Sequence, residues 1–453
     1  MRAGTARLSM VDAINFAGSE PNSGTDWFLL WVFVGDAPAR ADDIEAHFRS
    51  RAEAITPLFR TIAEVPGNLD RPYWVHDHDP IDSHLTMSTT ACTWSDVVAS
   101  VAGLSERPLD ARHSAWHLHV HHTVAGTPQS TVVVLQVSHA LLAGPSTAAL
   151  TRALFATSAP ALQIPGLDHA RSRPHPLSSA AAGLARFPGS VIRSQLLARR
   201  AAKLNRPTDA EPAVRVASTL NVPPGAERTV RVLQPEIASF RRAPETVTVL
   251  ATTALSIALE RYLTAVGAEC PSRLTTLLTV AVDDDSLGVN RVVAASVDLH
   301  TDVPNWHDRI RAIADDSKHA RAQATGPATL TALAAQAHAP YLFVLNGFRA
   351  MQRHIAADPV ATAAGSVTLT SVNAGPAEGC DLAGRALQSM ALLASVPPTG
   401  GIVHSIVGCG DALTVSFITS PAVVTDPDRY ADILEKAFTE LAESLSLAPP
   451  QPK

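Results

Sequence analysis

The sequence predicts a mixed α/β protein of two domains joined by a basic helical connector. Three observations carry this reading: the length, the alternation of strand-like and helix-like segments in both halves, and one acid-free basic stretch between them. At 453 residues the chain exceeds one ordinary core and fits about two domains of 150 to 220 residues with a connector. The pattern places the first domain at 1–170, the connector at 171–225 and the second domain at 226–453.

In the first half, 27–34 is an apolar run of strand length, and 42–56 is helical with a start signal at Asp42. Two further strands, 115–124 and 131–139, flank a loop that carries Gly126 and Pro128, which is the pattern of a hairpin. From 169 to 208 there are eight basic residues and no Asp or Glu, and the helical part at 189–204 carries Val191, Ile192, Leu196 and Leu197 on one expected apolar side. The second half resumes the alternation, with helices expected near 246–263, 308–323 and 428–445 and strands near 276–282, 291–299, 367–372 and 412–418.

A hydrophobic fraction of 46%, a charged fraction of 17% and a slightly positive mean hydropathy describe a chain able to bury a large interior and exclude a disordered one. The net charge of -6 gives no reason to expect a nucleic-acid partner. Cys92, Cys270, Cys380 and Cys409 are widely spaced and form no CxxC pair, so neither a zinc ribbon nor a disulfide framework is expected and a reducing cytoplasm is the simpler home. Residues 1–20 contain Asp12 and Glu20 and lack the apolar core of a signal peptide. No stretch reaches the roughly 18 apolar residues of a membrane span, so any membrane contact is expected to be peripheral.

His139 stands where an apolar strand ends and a small-residue turn begins, Ser138-His139-Ala140-Leu141-Leu142-Ala143-Gly144. A neutral imidazole at such a place can take a proton from an attacking alcohol; the plainer reading is a histidine that caps the strand by hydrogen bonding. A second group, His113, His117, His119, His121 and His122, raises a metal reading, because His-x-His on a strand puts imidazoles on one face. Trp116, Leu118 and Val120 take the other face, so the histidines are expected on the solvated side of an amphipathic strand, with no metal. There is no GxSxG elbow, no phosphate-binding GxxxxGK[ST] loop and no complete dinucleotide fingerprint.

His139 to Gly144 resembles the second half of the HHxxxDG motif of the wax ester synthase/acyl-CoA:diacylglycerol acyltransferase family. Further segments are similar to that family in order: Leu-Ser-Met-Val-Asp-Ala at 8–13, Val-Pro-Gly-Asn-Leu-Asp-Arg-Pro-Tyr-Trp-Val at 65–75, Pro108-Leu109-Asp110 through Trp116, Gly288-Val289-Asn290-Arg291-Val292, and Leu382-Ala383-Gly384. The resemblance implies two chloramphenicol-acetyltransferase-like domains with mixed sheets flanked by helices, and a cleft between them that admits acyl-CoA. It implies an O-acyl transfer in which His139 is the general base and the acceptor is diacylglycerol or a long-chain alcohol. Acyl-CoA is then a substrate, and no metal or other cofactor is expected.

Departures from the family pattern are local. Ser138 and Ala143 replace the first histidine and the aspartate of the motif, leaving His139 and Gly144. The family's Asn-Asp pair at the start of a second-domain helix becomes Thr248-Val249, and its Ser-Asn-Val-Pro-Gly-Pro segment becomes Ser371-Val372-Asn373-Ala374-Gly375-Pro376. Thr248, Asn290, Ser371 and Asn373 are the residues expected to line the substrate cleft. The alternatives are a lipid- or acyl-CoA-binding relative without turnover, and a transferase with another acceptor. Arg193, Arg199, Arg200 and Lys203 in the connector are expected to meet a membrane or lipid-droplet surface from the cytoplasmic side.

Overall fold

A computed structural model describes residues 6–19, 25–36, 39–88, 90–126, 129–167, 170–205, 218–235, 238–271, 273–284, 287–358 and 365–447. The first half runs α1 (Met10–Ala17), β1 (Asp26–Val34), α2 (Ala41–Arg51), β2 (Arg60–Ala63), β3 (Tyr73–His76), β4 (Leu85–Met87), α3 (Trp94–Ser105), β5 (Trp116–Val124), β6 (Ser130–Ser138) and α4 (Thr147–Phe155). The connecting helix is α5 (Pro176–Leu204). Then follow β7 (Thr229–Leu233), α6 (Val247–Ala265), β8 (Thr275–Ala281), β9 (Val292–Asp298), α7 (Trp306–Ala324), α8 (Pro327–His338), α9 (Tyr341–Ala357), β10 (Val367–Gly375), β11 (Asp381–Leu382), β12 (Arg385–Leu393), β13 (Ile402–Cys409), β14 (Ala412–Thr419) and α10 (Pro427–Leu447).

Two six-stranded sheets form the core, in the orders β11-β12-β1-β6-β5-β4 and β7-β14-β13-β10-β8-β9. The strands expected from the alternation are present, and β5 and β6 form the expected hairpin with Trp116 opposite Val137. One departure joins the halves. β12 leaves the second half and pairs antiparallel with β1, with Phe28 opposite Leu393 and Trp31 opposite Met390. A boundary near residue 225 therefore does not separate the two sheets. Without β12 the apolar β1 would be an unprotected sheet edge, a row of unpaired backbone groups that invites association. Eight of its nine residues are buried, Val34 being half-buried, and β12 and β6 pair with its two edges.

The helix expected at 189–204 begins earlier, at Pro176, and its buried positions are small: Ser179, Gly183 and Ala201. The expected apolar side is divided between solvent and the body of the protein. Ile192 and Leu196 are 62% and 60% exposed, whereas Val191 and Leu197 are half-buried. The packing is set by close backbone approach and not by large side chains. A Cβ on Gly183 would lie 2.4 Å from the Leu69 carbonyl oxygen, so this glycine lets α5 lie directly on the 66–70 turn. No single helix among the described residues is long and apolar enough to cross a membrane.

Candidate active site

His139 follows the last residue of β6, where the chain turns away from the sheet. Leu141 N–H donates to the Ser138 carbonyl at 2.9 Å, which closes the turn and brings the imidazole back over it. The ring stacks on Trp27 of β1 at 4.3 Å between centroids. Its Nδ1 lies 3.3 Å from the Leu142 carbonyl oxygen, which can only accept, so Nδ1 carries the proton and Nε2 keeps its lone pair. Enclosure by protein pushes the imidazole pKa down to about 4, opposed by that hydrogen bond. At neutral pH the ring is therefore uncharged.

The second half reaches this turn through Asn290. Its Nδ2 donates both to the His139 carbonyl oxygen and, at 2.9 Å, to Oδ1 of Asp12 in α1. Asp12 also accepts from the backbone N–H of Val289 at 3.0 Å and of Asn290 at 3.1 Å. Ser9 caps α1 by accepting from Asp12 N–H and donates to the Leu287 carbonyl at 2.8 Å. This arrangement requires Gly288, whose φ is +74° and where a Cβ would meet Asp12 Oδ2 at 2.2 Å. Burial raises the Asp12 pKa, and the Val289 and Asn290 donors pull it back. The result is a clamp from α1 to the loop before β9 and on to the His139 main chain.

The remaining candidates fall around this clamp. Ser138 is buried, and its Oγ accepts weakly from Ala140 N–H at 3.4 Å. Ala143 is fully buried within the main apolar cluster. Gly144 stays small because a Cβ there would press to 3.3 Å on Val372 of β10 and to 3.9 Å on Trp27. Val372, Ser371 and Asn373 line a cavity of ≈760 Å³ with Val247, Pro376 and Leu413, so Gly144 and Val372 connect that cavity to the His139 turn. Thr248 is not part of the lining; it is half-buried in the first turn of α6, and its carbonyl accepts from the Thr252 hydroxyl. Asn290 does not line this cavity either, being consumed by the clamp.

The histidines of β5 depart from expectation. His117, His119 and His121 are half-buried, not solvated, and desolvation lowers all three pKa values, that of His119 to about 4. The face they occupy carries neighbours: Thr86 of β4 lies 2.8 Å from His117 and the Cys92 sulfur lies 3.8 Å from His121. His113 is exposed and pairs with Asp110. Among the described residues no group of three His, Cys, Asp or Glu is placed to hold a metal ion.

Two six-stranded sheets, with β12 crossing from the second half to pair with β1, form a chloramphenicol-acetyltransferase-like fold. Family models agree in sequence. The wax ester synthase/diacylglycerol acyltransferase catalytic domain matches residues 29–253 and the C-terminal domain of the same family matches 289–442, so the chain belongs to that family. The wax ester synthase/diacylglycerol acyltransferase of Marinobacter aquaeolei VT8 superposes with a TM-score of 0.65 at 17% identity, covering 97% of this chain and 100% of that one. The condensation domain of the monacolin K polyketide synthase MokA gives 0.55 at 12% identity, covering 98% of each chain. At these identities the likeness shows the fold. The protein named "Probable diacyglycerol O-acyltransferase Tgs4" of Mycobacterium tuberculosis is 36% identical over 67 residues, 15% of this chain. That alignment spans 14% of the length of the curated relative.

Three residues of the site were not singled out from chemistry alone: Trp27, Asp12 and Gly288. A signal existed for two of them, since Asp12 and Gly288 lie in the two family-like segments at 8–13 and 288–292 that the structure brings together.

Proposed function

We propose that the protein transfers a long-chain acyl group from acyl-CoA to the hydroxyl of diacylglycerol or a long-chain alcohol, with His139 Nε2 as the general base. The observation that carries this reading is the Nδ1 contact to Leu142, which fixes the tautomer in which Nε2 is free to accept a proton. Nε2 takes the hydroxyl proton as the oxygen attacks the thioester carbonyl; the tetrahedral intermediate collapses with loss of the coenzyme thiolate, which recovers the proton. A ring held neutral by desolvation is ready for this at any physiological pH, and the negative charge that develops beside it raises its basicity as the reaction proceeds. The transfer is redox-neutral, so acyl-CoA enters as substrate.

The lipid acceptor would be met on the outer face of α5. Leu177, Leu184, Ile192 and Leu196 are exposed there, and the helix carries Arg186, Arg193, Arg199, Arg200 and Lys203 with no acid. Outward apolar side chains among cations suit an anionic membrane or droplet surface on the cytoplasmic side.

Purified protein incubated with labelled palmitoyl-CoA and either dioleoylglycerol or hexadecanol tests the reading. Ester and free coenzyme are expected to form and to fall to background in His139→Ala. Equal turnover in the variant would remove His139 from the mechanism, and binding without product would favour a non-catalytic relative. Flotation with anionic vesicles is expected to weaken with salt and when Arg193, Arg199, Arg200 and Lys203 are changed to Gln.

A further inference from the structure

Beneath α5 lies a cavity of ≈420 Å³ bounded by Arg7, Asp70, Arg71, Arg186, Arg193 and His338. Its charge is unbalanced. Asp70 receives Arg7 at 3.1 Å and Arg186 at 2.6 Å, so the one carboxylate of the lining already serves two cations. Among the described residues, neither Arg71 nor Arg193 has a carboxylate within ion-pair distance or a side-chain hydrogen bond. Burial, then the neighbouring Arg7, lowers the Arg71 pKa to about 10 against the opposing pull of the Asp70 and Asp12 carboxylates, and both Arg193 and Arg71 act to lower that of His338 after its own burial. Four arginines drawn together around one lining carboxylate raise one another's energy.

We propose that this cavity is a binding site for a phosphate group, held by Arg71 and Arg193 with Arg7 and Arg186 oriented by Asp70. The guanidinium fork matches phosphate oxygens, and a pre-paired carboxylate fixes two of the forks in advance. The walls are built to hold this geometry. Gly183 brings α5 against the Leu69 carbonyl and Asp70 Cβ, which sets Arg186 on Asp70, and a larger residue would lift the helix away. At the rim Phe187 of α5 stacks edge-on with Phe343 of α9 at 5.4 Å, tying the cavity's second wall to its first. Phe343 is exposed, as are Leu184 and Ile192 of α5, so the site opens beside the apolar surface of the connector. The phosphate can belong to a phospholipid headgroup or to the coenzyme. Binding does not depend on acyl transfer.

Binding is measured on the full-length protein by calorimetry with inorganic phosphate, coenzyme A and dephospho-coenzyme A, and by flotation with phosphatidylcholine vesicles with and without phosphatidate. At least one phosphate probe is expected to bind, and Arg71→Gln with Arg193→Gln to weaken it by about tenfold or more. A preference for coenzyme A over dephospho-coenzyme A that the double variant abolishes assigns the site to the coenzyme 3′-phosphate. Phosphatidate-dependent flotation that the double variant abolishes, and that Arg199→Gln with Arg200→Gln on the same helix does not, assigns it to a lipid headgroup. Arg193→Gln alone, at an exposed position, must weaken the same probe, which guards against a folding defect at Arg71. His139→Ala is expected to bind as the unaltered protein does, so failure here and failure of the acyl-transfer reading are separable. If no phosphate probe binds, or if every probe binds the double variant equally well, the proposal is overturned.

Discussion

The turn after β6 and the cavity under α5 are both polar places in an apolar molecule, and they treat charge in opposite ways. At the turn, the Asp12 carboxylate meets the backbone N–H groups of Val289 and Asn290 and the Asn290 amide, and His139 Nδ1 meets a carbonyl. Under α5, one carboxylate pairs with two arginines, and two more arginines line the cavity without an ion pair among the described residues. Matched buried groups hold a geometry, because each loses a hydrogen bond if it moves. Unmatched cations hold no geometry by themselves and are lowered in energy only when an anion arrives. On the readings proposed above, the first region would position a proton acceptor and the second would receive charge.

That contrast can be broken by making the turn resemble the cavity. Asp12→Ala removes the acceptor of three buried hydrogen bonds, leaving the Val289 and Asn290 backbone N–H groups unmatched, and cuts the link from α1 to the loop before β9. Since each hydrogen bond to a charged group contributes about 1.5–3 kcal/mol, a destabilisation of about 5 kcal/mol is expected. Because Asn290 also loses the partner that aims it at the His139 carbonyl, kcat/KM for ester formation is expected to fall about a hundredfold, with kcat taking most of the loss. Thermal unfolding and initial rates check it. A variant with unaltered melting temperature and rate would show that the clamp is incidental.

Ala143→Asp applies the same logic within the turn. The site is fully enclosed by apolar side chains, so an aspartate there would be a buried charge with nothing to meet it. A loss of about 3–5 kcal/mol is expected, with no gain in rate. A rise in activity without loss of stability would instead mean that the turn retains a place for the family's carboxylate.

Much of the fold was legible because its signals are local. β1, β5 and β6 announce themselves by apolar runs and alternation, and α6, α7 and α10 by length and periodicity, and each lies within a few residues of its expected place. β12 was not legible as part of the first sheet: its residues spell a strand, but nothing in 385–393 says which sheet edge it will complete. His139 could be read from its strand-end position and the motif remnant. Trp27 could not, since stacking on His139 depends on β1 lying beside β6, a contact between residues 112 positions apart in the numbering. The β5 histidines were placed correctly on one face, but the alternation rule cannot tell a solvated face from one half-covered by β4 and the chain around Cys92.

The mildest way to disturb the contrast is to put a charge on His139 by lowering the pH. Its folded pKa of about 4 lies below the ordinary value of 6.5. Between those values the unfolded chain binds a proton that the folded protein refuses, so stability is complete above about pH 6.5 and declines as the pH falls towards 4. The full effect is at most about 3 kcal/mol. Other groups titrate in the same range: burial holds His119 near 4 as well, and raises Asp26 to about 6, which acts in the opposite sense by destabilising the fold as pH rises through that interval. Comparing the protein with His139→Ala removes these shared contributions. The variant's stability deficit, measured by urea unfolding, is expected to shrink as the pH is lowered from about 7 to about 4.5, because only the unaltered protein loses the His139 contribution. In the same samples kcat/KM should stay level through pH 6.5 and decline only towards pH 4 if, as proposed, the neutral imidazole is the active form. A deficit independent of pH, together with an acid limb near 6.5, would mean that the ring is solvated and not enclosed by the protein.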